Sequence, residues 1–302
     1  MKRVFFWGWY SDYDCASIDS LKAVYETKNI SMHVLLKLVV AFVRLFFPRA
    51  VSHSILRVLL KNKLNQEGVV VFSDDIIYYS SLHPALPLPR KIVVFRNKIP
   101  KKMYGTINSL RDNGYELYTF DESDANFLKL DFRGQYIPCT YEFNGESVFE
   151  NKAYFLGLEK GRKKNLDKLA QQLKQKGIVP DINIVRKYKL GISFYLGKKS
   201  YKENLRQVKR SKYIIDIVQE EQVGLTLRAL ESLFYGRKLI TNNSNISNYS
   251  FYNPNNILIL DTSYEIPDDF INSNYEPVGE ELLRKYRSVE YYSKIIGPID
   301  ND

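Results

Sequence analysis

The chain has 302 residues, 45% of them apolar, with 44 basic and 34 acidic side chains and a net charge of +10. That apolar share excludes a disordered chain and supports a sizeable core, while the length leans slightly to two compact domains over one large one. The positive excess favours anionic partners (nucleic acid, phosphorylated small molecules or an acidic membrane surface), although the frequent Lys, Asn, Ile and Tyr equally fit a basic protein from an AT-rich genome.

The chain opens MKRVFFWGWYSDYD. Its apolar run is at the short edge of a signal-peptide core, and SDYD stands where a small-residue cleavage site belongs. VFFWGW (4–9) is therefore predicted as a first buried strand, and the protein as cytoplasmic. Asp12 and Asp14 follow that strand, as helix-capping carboxylates or as a base facing an acceptor hydroxyl. Cys15 and Cys139 are far apart and form no CxxC, which argues for a reducing compartment and against a disulfide framework or zinc site.

Residues 31–63 carry six cations (Lys37, Arg44, Arg49, Arg57, Lys61 and Lys63) and no acid. Lys37, Arg44 and Pro48 interrupt the apolar run, which excludes a span of roughly 20 apolar residues. Two amphipathic helices are expected, either docking on anionic lipid or covering a sheet with their cations turned outward. His33, His53 and His83 are scattered and form no catalytic constellation. VVVF (69–72) is the next strand, ending at Asp74 and Asp75, a carboxylate pair that suits a hard divalent cation.

KIVVF (91–95) and ELYTF (116–120) continue the strands. The polar TYEFNGESVFENKA (140–153) breaks the rhythm and places a domain boundary near 145–152. Beyond it come YFLGL (154–158), YIIDIV (213–218), KLIT (238–241) and NILIL (256–260), with amphipathic helices in 162–177 and 225–236. Strands alternating with helices predict an α/β protein with parallel sheets, two similar halves and ligands outside the carboxyl ends of the strands. The halves expected are 1–148 and 149–302.

Two loops carry the chemistry. In YFLGLEKGR (154–162) a strand ends near Gly157, and Lys160, Gly161 and Arg162 lead into a helix, a pattern that suits a phosphate. In DIVQEEQVGLTLRALESLFYGRKLITNN (216–243) a loop with Gln222, Gly224 and Thr226 opens a helix that Gly236 ends. Leu227, Leu230, Leu233 and Phe234 form its sheet-facing stripe. Arg228 and Glu231, three apart beside that stripe, are either a surface ion pair of about 0.2–0.5 kcal/mol or a grip on a ligand.

This stretch resembles the donor-binding segment of GT-B glycosyltransferases. Together with ELYTFDESDANFLKLDF (116–132), YFLGLEKGR and YSFYNPNNILIL (249–260), it is similar to bacterial enzymes of capsule and lipopolysaccharide assembly, in the order expected from about residue 90 to 262. The resemblance implies a fold of two Rossmann-like domains facing a central cleft and sugar transfer from a nucleotide-sugar donor to a growing surface glycan. It implies that Gly157, Lys160 and Arg162 face the donor diphosphate, Gln222, Gly224 and Thr226 line the loop, and Arg228 and Glu231 bind phosphate and ribose or sugar. Large retaining GT-B enzymes have a second glutamate eight positions before the one matched by Glu231. Here that position is Val223, with Glu220 and Glu221 nearby, so the stereochemistry does not carry over.

The expectation is a GT-B hexosyltransferase without an obligatory metal. Its first half would hold a lipid-linked or oligosaccharide acceptor, with Asp12 or Asp14 as base, at the anionic inner face of the plasma membrane as a peripheral protein. Two alternatives stay open: a GT-A transferase with a metal on Asp74 and Asp75, and a non-enzymatic nucleic-acid-binding protein using the +10 charge and 23 tyrosines. The GT-B expectation includes no nucleic-acid partner.

Overall fold

The structure is a computed structural model that describes residues 1–30, 68–74, 90–138, 149–190, 192–197, 199–219 and 222–297. The basic segment 31–63 with His33 and His53, and also Asp75, His83, Cys139, Glu220 and Glu221, lie outside the described residues. The chain divides into two units: Met1–Arg133 with Tyr292–Asp302, and Gly134–Tyr291.

In the first unit, β1 (Arg3–Trp7), β2 (Glu26–Ile30), β3 (Val69–Ser73), β4 (Arg90–Phe95), β5 (Tyr115–Thr119) and β6 (Asp131–Phe132) form one sheet in the order β2-β1-β3-β4-β5-β6. Every pairing is parallel. Helices α1 (Asp12–Leu21), α2 (Tyr104–Asp112) and α3 (Glu122–Leu128) connect strands. The apolar runs are continuous because both sheet faces are covered. Phe5, Trp7, Val70, Phe72, Val93, Phe95 and Leu117 point to one face and pack with Ile107 and Leu110 of α2. Val4, Phe6, Val71, Ile92 and Val94 are equally buried between them. β2 escapes the sequence reading because ETKNI is an edge strand that buries little besides Ile30.

In the second unit, β7 (Glu150–Leu158), β8 (Val179–Leu190), β9 (Ile192–Leu196), β10 (Ser211–Asp216), β11 (Lys238–Thr241) and β12 (Ile257–Ile259) form a second sheet in the order β12-β11-β10-β7-β8-β9. It is parallel apart from the β8–β9 hairpin. α4 (Lys163–Gln175) lays Leu166, Leu169 and Leu173 on the face made by Ala153, Phe155, Tyr213 and Ile215. Each such leucine contributes about 1.5–3 kcal/mol of burial. The opposite face, with Tyr154, Ile214 and Leu239, takes Leu205 and Val208 of α5 (Tyr201–Arg210) and Leu230 and Leu233 of α6 (Leu227–Phe234). The expected stripe of α6 packs there too, Leu227 and Phe234 being partly buried in it, and Gly236 ends the helix with φ 61°. Helices α7 (Asp268–Asn272), α8 (Glu280–Arg284) and α9 (Ser288–Ile296) close the chain, and the division between units falls within α9.

This order sets a topological switch point. From β7 the chain goes through α4 to β8 on one side, then returns through α5 to β10 on the other side of β7. The carboxyl ends of β7 and β10 thus flank a topological switch point, where diverging connections leave an opening for a ligand.

Candidate functional site

Two arginines meet at that switch point. β7 ends through Gly157 and Leu158, and Lys160 (φ 41°) and Gly161 (φ 78°) turn the chain in left-handed geometry so that Arg162 becomes the N-cap of α4. The Arg162 side chain folds back over the strand ends, donating to the carbonyls of Leu158, Ile217 (2.9 Å) and Glu159 (3.3 Å). Arg228, in the first turn of α6, donates through Nε and Nη2 to Oδ1 of Asp216 at 3.0 and 2.8 Å, and through Nη1 to the Leu156 carbonyl at 3.3 Å. The two guanidinium carbons stand 5.4 and 5.0 Å from the centre of the Phe155 ring, a favourable cation–π arrangement.

Gly157 makes room for both. A Cβ there would lie 3.2 Å from Nη1 of Arg228, 3.3 Å from Nη2 of Arg162 and 3.1 Å from the Phe155 ring. Burial, with the neighbouring Arg228, lowers the Arg162 pKa to about 10 while Asp216 acts in the opposite sense, so the guanidinium stays charged at neutral pH. Of the two, Arg228 alone pairs with Asp216, while Arg162 is held by backbone carbonyls, so two cations stand against one carboxylate near the helix starts of α4 and α6. Such a place attracts an anion.

The rest of the second loop is built around these arginines. Gln222 donates its backbone N–H to Gln219 at 3.2 Å. The carbonyl of Gly224 faces the side-chain amide of Asn243 at 3.4 Å, and that of Val223 faces Asn243 and Asn245 at 3.3 and 3.2 Å. Thr226 caps α6, its hydroxyl accepting from Ala229 N at 3.2 Å.

Glu231 is buried on the same helix. Arg228 and Glu231 do not pair; Glu231 is 1% exposed, and its Oε1 accepts from Asn204 Nδ2 at 2.9 Å, while Asn204 Oδ1 accepts from Tyr154 at 3.1 Å. Burial pushes the Glu231 pKa up to about 7, opposed by hydrogen bonding from Asn204, the charge of Arg228 and hydrogen bonding from Tyr201.

In the first unit the switch point lies between β1 and β3. Asp14 completes a capping box at the start of α1, accepting from Ser11 N at 3.1 Å while its own N–H bonds the Ser11 hydroxyl at 3.1 Å. It also pairs with Arg96, whose guanidinium carbon lies 4.3 Å from the centre of the Trp9 ring. Asp12, at the first position of α1, is exposed. Asp74 is fully buried, and its Oδ2 accepts from the backbone of Arg96 and Asn97 at 3.3 and 3.1 Å and from Asn97 Nδ2 at 2.9 Å. Among the described residues no group of three His, Cys, Asp or Glu side chains is placed to hold a metal.

Four partners escaped the sequence reading: Phe155, Asp216, Asn204 and Arg96. Asp216 carried a usable signal, since an acid inside the apolar run YIIDIV requires a buried partner. Asn204 and Arg96 gave none, because their partners are distant in the chain.

The fold and site define a protein of two α/β units with largely parallel sheets, and an arginine pair at the switch point of the second. No protein-family model and no curated protein matches the chain. Among solved structures it is similar to the crystal structure of TarM (TM-score 0.47, 9% identity, covering 80% of this chain and 54% of that one). It is also similar to accessory secretory protein 1, 2 and 3 of Streptococcus pneumoniae (TM-score 0.43, 10% identity, 82% and 53% covered) and to a GtfA/B complex (TM-score 0.41, 13% identity, 81% and 60% covered). The chain therefore spans little more than half the length of these solved chains, and the assignment of the fold rests on its own sheet topology.

Proposed function

We propose that the chain is a GT-B glycosyltransferase that moves a hexose from a nucleotide-sugar donor to a capsular or lipopolysaccharide acceptor, lipid-linked or oligosaccharide. The observation that carries this reading is the convergence of Arg162 and Arg228 over Phe155 at the switch point, with Gly157 leaving room for both. When the glycosidic bond of a nucleotide sugar breaks, negative charge grows on the departing diphosphate. Fixed guanidinia aimed at that charge lower the barrier without reorganising during the reaction.

The reading asks for no obligatory metal, because the arginines supply the positive charge. Lys160 and the Gln222, Gly224 and Thr226 loop surround the diphosphate, and Glu231 stands behind the site, bracing α6 through Asn204. The candidate bases are Asp12, exposed at the start of α1, and Asp14, which also pairs with Arg96 and closes the capping box. The acceptor binds the first unit, and the segment 31–63 holds the enzyme as a peripheral protein on the anionic inner face of the plasma membrane.

Thermal shift and calorimetry with pyrophosphate and a panel of UDP-, GDP-, CMP- and dTDP-sugars test the reading. Pyrophosphate and at least one nucleotide sugar should stabilise the protein. Gly157→Ala should weaken pyrophosphate binding about tenfold or more, by displacing the guanidinia, while circular dichroism stays unchanged. If no member of the set binds, the donor site is elsewhere.

A further inference from the structure

We infer that Asp216 gives this site a second, hydroxyl-accepting half: its Oδ2, at the carboxyl end of β10, takes a hydrogen bond from a hydroxyl on the group esterified to the phosphate that Arg162 and Arg228 hold. The inference rests on the arginine pair being a phosphate site.

The geometry of one carboxylate carries it. A guanidinium usually meets a carboxylate as a fork, one N–H on each oxygen. Here Nε and Nη2 of Arg228 both converge on Oδ1 of Asp216. Oδ2 has no hydrogen-bond partner among the described residues, although the Asp216 side chain is 1% exposed. A buried, charged acceptor without a donor is costly, and native structures satisfy such atoms with water, ligand or protein.

The strand end that carries the carboxylate is also firmly set. Asp216 closes β10 in register with Thr241, and the Thr241 hydroxyl donates to its carbonyl at 2.8 Å. The unsatisfied oxygen belongs to the same carboxylate whose Oδ1 Arg228 holds at 2.8 and 3.0 Å, so it lies close to any phosphate that Arg228 meets.

Charge selects the partner. A cation at Oδ2 would be opposed by Arg162 and Arg228, and an anion by the carboxylate itself. A neutral donor fits both, and the nearest neutral donors on a phosphate ester are the hydroxyls of the esterified group. The site so built takes hydroxylated phosphate esters and favours them over bare phosphates or alkyl esters.

Asp216→Asn separates the two halves. The amide oxygen has to face Arg228, whose N–H groups would oppose an NH2, so the amide NH2 replaces Oδ2 and turns an acceptor into a donor. Competition against bound pyrophosphate should show 2-hydroxyethyl phosphate binding the wild-type protein several-fold better than ethyl phosphate. The variant should lose the preference for the hydroxylated ester, read as the ratio of the two affinities and independent of its affinity for pyrophosphate. A nucleotide sugar that binds wild type should weaken about tenfold or more in the variant.

Equal binding of the two esters by wild type overturns the inference even if the variant fails to fold, and so does a preference that persists in Asp216→Asn. Failure of wild type to bind pyrophosphate overturns the phosphate site itself and this inference with it, an outcome distinct from the other two.

Discussion

Glu231 shows how burial can dominate the behaviour of a single residue. Its carboxyl is enclosed against Asn204 and its pKa rises from 4.5 to about 7, because desolvation penalises the charged form more than its polar neighbours favour it. Between those values the folded protein holds a proton that the unfolded chain has released. Stability should therefore fall as pH rises from about 4.5 to 7, by roughly 3 kcal/mol in all. Glu231→Gln keeps the shape and hydrogen-bonding reach but cannot ionise, so urea unfolding midpoints of the variant should be flatter across that window. A wild-type-like slope in the variant would assign the pH dependence to other groups. Arg162 differs in kind: burial lowers its pKa too, but about 10 is still far above neutrality, and its charge persists.

At the scale of elements, the site depends on where α6 begins. Thr226 fixes that start by accepting from Ala229 N, and Arg228 sits two residues further on, in the first turn. Neighbouring loops hold the approach, with Asn242 accepting from Val218 N at 2.7 Å and Asn243 and Asn245 donating to the carbonyl of Val223. Thr226→Ala removes the cap and should cost about 1 kcal/mol in equilibrium unfolding. It should also weaken pyrophosphate binding several-fold, because the first turn of α6 that carries Arg228 loosens. Thr226→Ser should restore both measurements. Rescue of stability without rescue of binding would separate the cap from the site.

Across the whole molecule, the +10 charge is the feature that the arginine pair does not explain. Six cations without an acid lie in residues 31–63, and no helix among the described residues is long and apolar enough to cross a membrane. Flotation with anionic liposomes is expected for the wild-type protein. Neutralising Lys37, Arg44, Arg57 and Lys61 together should abolish it, since each cation near such a surface contributes about 1 kcal/mol. Flotation that survives the four substitutions would place the lipid contact on another surface.

Much of the architecture was legible in the sequence because its signals are local. Apolar runs such as VVVF and KLIT needed little beyond themselves to be read as parallel strands, and both lie within a residue of the observed β3 and β11. The leucines of α4 and α6 repeat at helical spacing and pack where that spacing requires. Strands such as ETKNI and VPDINIVRKYKL stayed hidden, being polar in sequence and strand-like through pairing. The sequence by itself placed Arg162, Arg228 and Glu231 on strand–loop–helix segments. Only the tertiary structure decided their partners. Arg228 leaves Glu231, three residues on, and takes Asp216, twelve residues back, because the return from β10 through the loop into α6 brings the strand end beside the first helical turn. The same turn of the helix carries Glu231 to the face covered by α5, where Asn204 meets it. Spacing along a chain fixes which side chains share a helix face; which of them reaches a ligand depends on what the sheet brings to that face.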